Sequence, residues 1–270
     1  MHFIIDSEKC NGCGLCVIDC QRRVLELRNN KAIAANDNCF KCGHCLAICP
    51  ENAVKVIGCD DEVWELKGRK VFLDENDLKM HLKARRSVRQ YKNTPVEKEK
   101  IEKIIEAGRL TPTASNTQNV RYIVVQTGIE AMEDEVIAQY VPQAVHERKD
   151  SQAAIQPSPG YYVPLSGNFN PDRLKRGFLF HRAPLVILVV SPSEINGCLA
   201  AMSMELMAEA LGLGTVYVGL FTRPANQNKN LRESLGVAEG EVITACLAVG
   251  YPKVQYARTA PKKAANVVWR

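Results

Sequence analysis

The chain has 270 residues, with 35 Lys and Arg against 30 Asp and Glu, which gives a net charge of +5. Aromatic residues make up only 6% of it and no recognition motif is present, so this modest basic excess does not favour nucleic-acid binding. No apolar stretch approaches the length that crosses a bilayer, and no basic segment followed by an apolar run opens the chain. We therefore expect a cytoplasmic protein that binds neither a membrane nor nucleic acid.

Short apolar runs predict four strands within the first sixty residues. They lie at 3–5, 24–27, 32–34 and 54–57, and the turn-forming Asn29-Asn30 separates the middle two. Two short helices are predicted between them, at 14–20 and 43–49, each opened by a glycine. Because this segment is short, it buries little apolar surface. We therefore expect bound metal to supply much of its folding free energy.

Eight of the 11 cysteines fall into two copies of one spacing, C-x2-C-x2-C-x3-C, offset by 29 residues. The copies consist of Cys10, Cys13, Cys16 and Cys20, and of Cys39, Cys42, Cys45 and Cys49. This is the pattern of bacterial two-cluster ferredoxins, in which the last cysteine of each run ligates the other cluster. The sequence therefore predicts two interlocked [4Fe–4S] clusters, the first held by Cys10, Cys13, Cys16 and Cys49 and the second by Cys39, Cys42, Cys45 and Cys20. The predicted short helices would carry the last ligand of each run.

Zinc and disulfide bonds are the alternatives for these thiols. Zinc sites usually show paired ligands separated by a longer spacer, and disulfides need an oxidising compartment, so the sequence disfavours both. Gln21 stands where Pro50 follows the second run. We expect the remaining thiols, Cys59, Cys198 and Cys246, to be buried small apolar residues.

The layout predicts a ferredoxin-like domain at 1–60, a linker at 61–75 and a second domain at 76–270. A helix is expected at 75–84, and a basic segment follows it, Arg85-Arg86-Ser87-Val88-Arg89. Arginine forks beside a hydroxyl suit a phosphate group, so this segment is a candidate anion site. A helix from Thr94 to about Gly108, a polar loop at 110–119 and a strand at 122–126 come next.

The rest of the chain predicts core elements and one long loop. A continuous apolar run at 185–190 indicates a buried strand, and 197–211 indicates a core helix rich in Met and Ala. A strand is predicted at 215–221, where Gly219 would let a flat ring lie against the backbone. The poorly periodic segment 139–176 suggests a lid over the substrate, with Tyr161, Tyr162 or Phe169 able to stack on an aromatic ring.

From residue 76 to the end, the chain resembles the nitroreductase family of FMN flavoproteins. The resemblance rests on Arg85-Arg86-Ser87-Val88-Arg89, Thr94-Pro95-Val96, Ala107-Gly108, residues 112–118, Gly250-Tyr251-Pro252 and Pro261-Lys262-Lys263. It implies an α+β fold with a mainly antiparallel sheet, and a homodimer with FMN at the subunit interface. The chain departs from the family at Asn119-Val120, where Pro-Trp is common, and at Lys262, where arginine is common.

The resemblance also implies which residues bind the cofactor. The first segment, around Arg85, Arg86, Ser87 and Arg89, would reach the phosphate, ribityl chain and pyrimidine edge of FMN. The partner subunit's loop would contribute Thr113, Ser115, Asn116 and Gln118. The backbone of Val218, Gly219 and Leu220 would lie beside flavin N5, and Lys262 and Lys263 would close on the phosphate.

Together the two halves predict an FMN-dependent oxidoreductase that reduces nitroaromatics, quinones or other electrophilic aromatic acceptors. Two [4Fe–4S] clusters would relay electrons to or from FMN, with NAD(P)H or reduced ferredoxin as the candidate donor. No catalytic side chain is assigned, because the flavin itself performs the first transfer. Two other functions stay open: an iron–sulfur and flavin electron carrier or redox sensor without turnover, and a dehalogenating or flavin-modifying relative.

Overall fold

The computed structural model describes residues 2–59, 61–69, 71–147 and 177–270, without the side chains of 139–147. Contacts divide the chain into two compact units. The first consists of Met1–Phe72 and Thr113–Thr117, and the second of Leu73–Pro112 and Gln118–Arg270. Most of the predicted lid, residues 148–176, lies outside the described residues.

Two small antiparallel pairs of strands frame the first unit. Strand β1 (Phe3–Ile5) pairs with β4 (Val54–Val56), and β2 (Leu25–Arg28) forms a hairpin with β3 (Lys31–Ala34). Asn29 and Asn30 make the turn with φ angles of 49° and 56°, a conformation that asparagine tolerates well. The four predicted strands and the Asn-Asn turn are therefore confirmed.

Two one-turn helices of the first unit repeat the same local structure. Helices α1 (Leu15–Ile18) and α2 (His44–Ala47) each follow a glycine in the left-handed conformation, with φ angles of 78° at Gly14 and 75° at Gly43. They carry the third cysteine of each run, so the prediction that they carry the last one is wrong.

The last cysteine of each run follows its helix because the chain turns sharply there. Arg23 N–H donates to the carbonyl of Cys20 at 2.9 Å, and Asn52 N–H donates to that of Cys49 at 3.4 Å. Arg23 and Asn52 are both left-handed, with φ angles of 50° and 49°. Both runs therefore end in the same turn, although only the second has a proline.

A four-stranded antiparallel sheet forms the centre of the second unit. Its strands are β5 (Arg121–Val125), β6 (Leu185–Ser191), β7 (Gly214–Tyr217) and β8 (Val242–Gly250), in the order β5-β6-β8-β7. Every residue of β6 is buried, as its apolar run predicts. The antiparallel sheet with its helices confirms the predicted α+β class.

Six helices of the second unit lie in the described ranges. They are α3 (Glu75–Ala84), α4 (Lys98–Arg109), α5 (Ile129–Glu147), α6 (Glu194–Ala210), α7 (Gly219–Gln227) and α8 (Lys229–Ser234). Ala200, Ala201 and Met204 of α6 have no exposed surface, which confirms the predicted core helix. Helix α5 begins well before the predicted lid and extends into its first residues. None of the helices in the described ranges is long and apolar enough to cross a membrane.

The predicted strand at 215–221 is wrong in its second half. Pairing of β7 with β8 ends at Tyr217 opposite Leu247, and the chain enters α7 at Gly219. Phe221 is fully buried from this helix and packs against Phe180 with ring centroids 5.3 Å apart. A short apolar run with a buried aromatic residue occurs in helices as well as in strands, so the sequence pattern does not distinguish the two here.

Candidate cofactor sites

Four of the eight repeated cysteines line one cavity of the first unit. These are Cys10, Cys13 and Cys16 of the first run together with Cys49 of the second, beside Ile5, Asn11, Gly14, Ala32, Glu51, Ala53 and Val54. This is the crossed set that the spacing predicts for one cluster. No three His, Cys, Asp or Glu side chains in the described ranges are placed to hold a single metal ion. Four thiols around one cavity are the ligand set that a [4Fe–4S] cube takes, so the chemistry of this lining fits a cluster.

The thiols of both runs lie close enough to influence one another. Burial raises the pKa of Cys16, and the neighbouring thiols of Cys10, Cys49 and Cys13 raise it further. Burial likewise raises the pKa of Cys45 to about 11, with added effects from Cys39, Cys42 and Cys16. All of these cysteines are free of disulfide bonds. Cysteine binds iron as the thiolate, so each of these thiols would have to lose its proton when a cluster binds.

Backbone N–H groups donate to the sulfurs with the same 29-residue repeat. Val24 N–H donates to Sγ of Cys20 at 3.4 Å, and Ala53 N–H donates to Sγ of Cys49 at 3.3 Å. Such donors stabilise the negative charge of a thiolate and tune the potential of the iron it holds. The last cysteine of each run therefore accepts the same kind of backbone hydrogen bond.

The three other thiols differ in exposure. Cys246 of β8 is buried, as expected, but Cys59 and Cys198 are exposed, so the predicted burial of these two is wrong. Cys198 lies on α6, and its thiol donates to the carbonyl of Thr244 on β8 at 3.9 Å.

In the second unit, the basic segment lies along the edge of the sheet. Ser87 pairs with Thr215 of β7 in a parallel bridge, and Val88 N–H donates to the carbonyl of Thr215 at 2.8 Å. This approach requires a glycine on β7, because a Cβ at Gly214 would lie 2.5 Å from Cγ2 of Val88. These backbone contacts hold the basic segment against β7.

Arg85 is held by a carboxylate that sequence reasoning missed. Its Nη1 lies 2.6 Å from Oε1 of Glu205 on α6, and the hydroxyl of Thr215 donates to the same oxygen at 3.4 Å. Glu205 is 1% exposed, and its hydrogen bond raises the pKa of Arg85. The available signal was spacing: Glu205 falls four residues after Ala201 and three before Ala208, on the apolar face of the helix.

Arg86 is the arginine of this segment that suits an anion. Its Nη1 donates to the carbonyl of Arg85 at 2.5 Å, but Nη2 is buried with no hydrogen-bond partner within the described part of the chain. A buried donor without a partner is rare and indicates an absent ligand. Arg89 is exposed, and its Nη1 donates to the carbonyl of Ser87 at 3.3 Å. Burial lowers the pKa of nearby His181, and the charge of Arg89 lowers it further.

The loop at 113–118 has a strained backbone. A 3-10 turn, Ala114–Asn116, follows Thr113, and Ser115, Asn116 and Gln118 have φ angles of 52°, 52° and 48°. Consecutive left-handed residues other than glycine are uncommon and concentrate at functional sites.

Residues 113–117 of this loop belong to the first unit. There Nδ2 of Asn116 donates to the carbonyl oxygens of Phe40 at 3.0 Å and Lys41 at 3.1 Å. The amide that the resemblance assigns to FMN is therefore directed at the loop between Cys39 and Cys42. Gln118 belongs to the second unit.

The departure at Asn119 has a structural role. Nδ2 of the buried Asn196 on α6 donates to Oδ1 of Asn119 at 3.0 Å. On the other side of the loop, the hydroxyl of Thr111 donates to that of Ser203 at 2.9 Å. These two bonds fix both flanks of the loop to α6, and a proline at position 119 would lack the side-chain oxygen that accepts from Asn196.

The remaining candidate residues fall at two separate places. Val218 is buried and its N–H donates to the carbonyl of Cys246 at 2.8 Å, while Gly219 and Leu220 open α7. Lys262 and Lys263 are exposed, and neither forms an ion pair with a described residue.

Comparison with known families assigns both halves of the chain. The model of the nitroreductase family matches residues 82–251, and that of the 4Fe-4S dicluster domain matches residues 9–54. An uncharacterized ferredoxin of Methanocaldococcus jannaschii is 41% identical over 59 residues, which is 21% of this chain and 95% of that protein.

Two longer relatives match the second half. A candidate NADH dehydrogenase/NAD(P)H nitroreductase of Archaeoglobus fulgidus is 29% identical over 180 residues, covering 66% of this chain and 87% of that protein. The structure of a nitroreductase with bound FMN from Desulfitobacterium hafniense is 21% identical, with a TM-score of 0.54, and covers 73% of this chain and all of the other. The chain therefore belongs to the nitroreductase family and carries a ferredoxin domain at its N-terminal end.

Proposed function

We propose that the protein is an FMN-dependent oxidoreductase that reduces nitroaromatics, quinones or similar electrophilic aromatic acceptors, with electrons relayed between two [4Fe–4S] clusters and FMN. The observation that carries this proposal is the cavity lined by Cys10, Cys13, Cys16 and Cys49 in a chain of the nitroreductase family. An electron-transfer module joined to this family supplies or withdraws electrons one at a time.

The first domain, at 1–60, would hold both clusters. The crossed cysteine sets supply four thiolates each, and N–H groups donate to Sγ of Cys20 and Cys49. Because each set draws on both runs, losing one ligand should disturb the whole domain.

The second domain, at 76–270, would hold FMN, which supplies hydride and single-electron transfer when bound. The unpartnered buried donor of Arg86 suits the phosphate, and Ser87 and Arg89 lie beside it on the same fixed segment. Arg89 would place positive charge where negative charge develops on the pyrimidine edge. Arg85 would contribute mainly through its pair with Glu205.

Other cofactor contacts complete the proposal. They come from Thr113, Ser115, Asn116 and Gln118, from the backbone of Val218, Gly219 and Leu220, and from Lys262 and Lys263. The family resemblance leads us to propose a homodimer with FMN at the subunit interface, in which a second copy supplies some of these residues. NAD(P)H at the flavin and reduced ferredoxin at the clusters are the donors that we propose.

A cysteine substitution tests the relay. In Cys13→Ala we expect turnover with reduced ferredoxin to be lost, while bound FMN and any NAD(P)H-linked turnover remain, because only the cluster route is cut. Cys198→Ala is the matched control, since it removes an exposed thiol outside both runs. Full ferredoxin-linked turnover in Cys13→Ala, measured under anaerobic conditions, would contradict the relay.

Parallel assays separate the alternatives. Nitroaromatic, quinone and halogenated aromatic acceptors would be tested with the same enzyme and donor. Turnover of the halogenated compounds alone would indicate a dehalogenating relative. Flavin reduction without turnover of any acceptor would indicate an electron carrier or redox sensor.

A further inference from the structure

The side chain of Asn116 begins a hydrogen-bond chain that ends at a cysteine sulfur. Its Nδ2 donates to the carbonyl oxygen of Phe40 at 3.0 Å. This carbonyl and the N–H of Lys41 belong to one planar peptide group. That N–H donates in turn to Sγ of Cys39 at 3.3 Å. A single peptide group therefore connects the Asn116 amide to the sulfur of Cys39.

We propose that Asn116 is a positioning residue that raises the reduction potential of the cluster held by Cys39, Cys42, Cys45 and Cys20. This inference rests on the clusters of the proposed function. A donor at the carbonyl polarises the peptide group and makes its N–H a stronger donor. A stronger hydrogen bond to sulfur stabilises the more negative, reduced state and so raises the potential.

A second bond keeps the amide in place. Nδ2 of Asn116 also donates to the carbonyl of Lys41 at 3.1 Å, so one side chain holds two of the three peptide groups between Cys39 and Cys42. The φ angle of 52° at Asn116 directs the side chain this way, and asparagine tolerates that conformation better than most residues.

The first cysteine run lacks this chain of bonds. By the 29-residue repeat, Asn11 and Gly12 correspond to Phe40 and Lys41. Among the described residues, Gly12 N–H makes no bond to Cys10; instead Sγ of Cys10 accepts from Ala32 N–H at 3.5 Å. The two clusters should therefore differ in potential, and only one of them should respond to position 116.

Redox titration followed by electron paramagnetic resonance on the anaerobic full-length protein tests this inference. Asn116→Gly removes the amide at a backbone angle that glycine accepts freely. Asn116→Asp keeps the shape but replaces the donor by an acceptor. Asn29→Gly is the matched control, because it also removes an asparagine side chain at a left-handed backbone, with a φ angle of 49°, but in the turn between β2 and β3 and outside the proposed cofactor contacts. Iron, sulfide and FMN content are measured in the same samples.

We expect one of the two midpoint potentials to become more negative in both Asn116 variants, while the other potential stays unchanged and Asn29→Gly keeps both wild-type potentials. Unchanged potentials in the Asn116 variants, or the same shift in Asn29→Gly, would overturn the inference. Loss of FMN without a change in potential would also overturn it, since the amide would then serve the flavin. A wild-type chain that binds no iron would overturn the proposed function as well, so the two failures are distinguishable.

Discussion

Arg85 and Glu205 form an ion pair in which the guanidinium Nη1 and the carboxylate Oε1 are 2.6 Å apart. The Glu205 side chain is only 2% exposed, while that of Arg85 is 27% exposed. A carboxylate buried to this degree needs a partner to remain ionised. The pair therefore fixes the start of the basic segment to α6.

Breaking this pair from one side should be costly. In Arg85→Met the carboxylate of Glu205 is left buried and alone, so we expect the free energy of unfolding to fall by about 3 kcal/mol. The double variant Arg85→Met/Glu205→Met should recover most of that loss, because no buried charge remains. Urea unfolding followed by circular dichroism gives both values. Equal losses in the single and double variants would show that the charge pair is not responsible.

Glu209 makes the stability of the second unit depend on pH. Burial raises its pKa to about 7, and the charge of Glu205 raises it further, while Arg85 and Arg86 oppose the shift. A carboxyl whose folded pKa exceeds its unfolded value of 4.5 destabilises the fold as pH rises between the two values. Stability should therefore fall between about pH 4.5 and pH 7 and stay low above pH 7.

The variant Glu209→Gln tests this assignment. Its amide cannot ionise, so it should unfold at higher urea concentration than the wild type at pH 8, with the difference vanishing near pH 4.5. His81 Nε2 lies 3.8 Å from Glu209, so His81→Gln should be measured beside it. A difference between wild type and Glu209→Gln that is constant with pH would contradict the prediction.

Gly12 and Gly43 are left-handed glycines at non-equivalent positions of the two cysteine runs, and they differ in how crowded they are. Both have left-handed backbones, with φ angles of 74° and 75°, so alanine is strained at either place. A Cβ at Gly12 would also lie 2.2 Å from the backbone oxygen of Asn30, whereas nothing lies within 4 Å at Gly43. We expect Gly12→Ala to lose most of its iron and Gly43→Ala to keep most of it, as measured per chain after anaerobic purification. Equal iron contents in the two variants would contradict the prediction.

Gly214 should be indispensable for the position of the basic segment. A Cβ there would lie 2.5 Å from Cγ2 and 2.7 Å from Cβ of Val88, so Gly214→Ala should push residues 85–89 from β7. We expect FMN affinity to fall by about tenfold or more, since Arg86 and Ser87 move with Val88. Adding Val88→Ala removes Cγ1 and Cγ2 and should restore part of the affinity. No restoration would mean that the contact is not the cause.

The ferredoxin domain was predictable because its cysteine pattern is local in sequence. Thiolates two residues apart suit one cube, and the repeat of Cys10 to Cys20 at Cys39 to Cys49 leaves few alternatives. Short strands and the Asn29-Asn30 turn follow from equally local rules. The predicted helices extended too far, to Cys20 and Cys49, because the sequence pattern does not reveal the turns after these cysteines, in which Arg23 and Asn52 are left-handed.

The flavin residues were harder to place because their roles depend on distant partners. Nothing within the segment around Arg85 reveals Glu205, which lies 120 residues later, or shows that Arg86 has the unpartnered donor. Asn116 looks like a typical polar loop residue, yet its amide bonds to carbonyls about 75 residues earlier. The local sequence pattern identifies such residues as functional candidates. The fold decides which partner each of them contacts.

The most direct test of the central claim is to quantify iron, sulfide and FMN in the protein purified without oxygen. Two clusters and one flavin per chain predict about eight irons, about eight sulfides and about one FMN, with the brown colour of iron–sulfur protein. A colourless protein, or one containing zinc and neither sulfide nor flavin, would contradict the account.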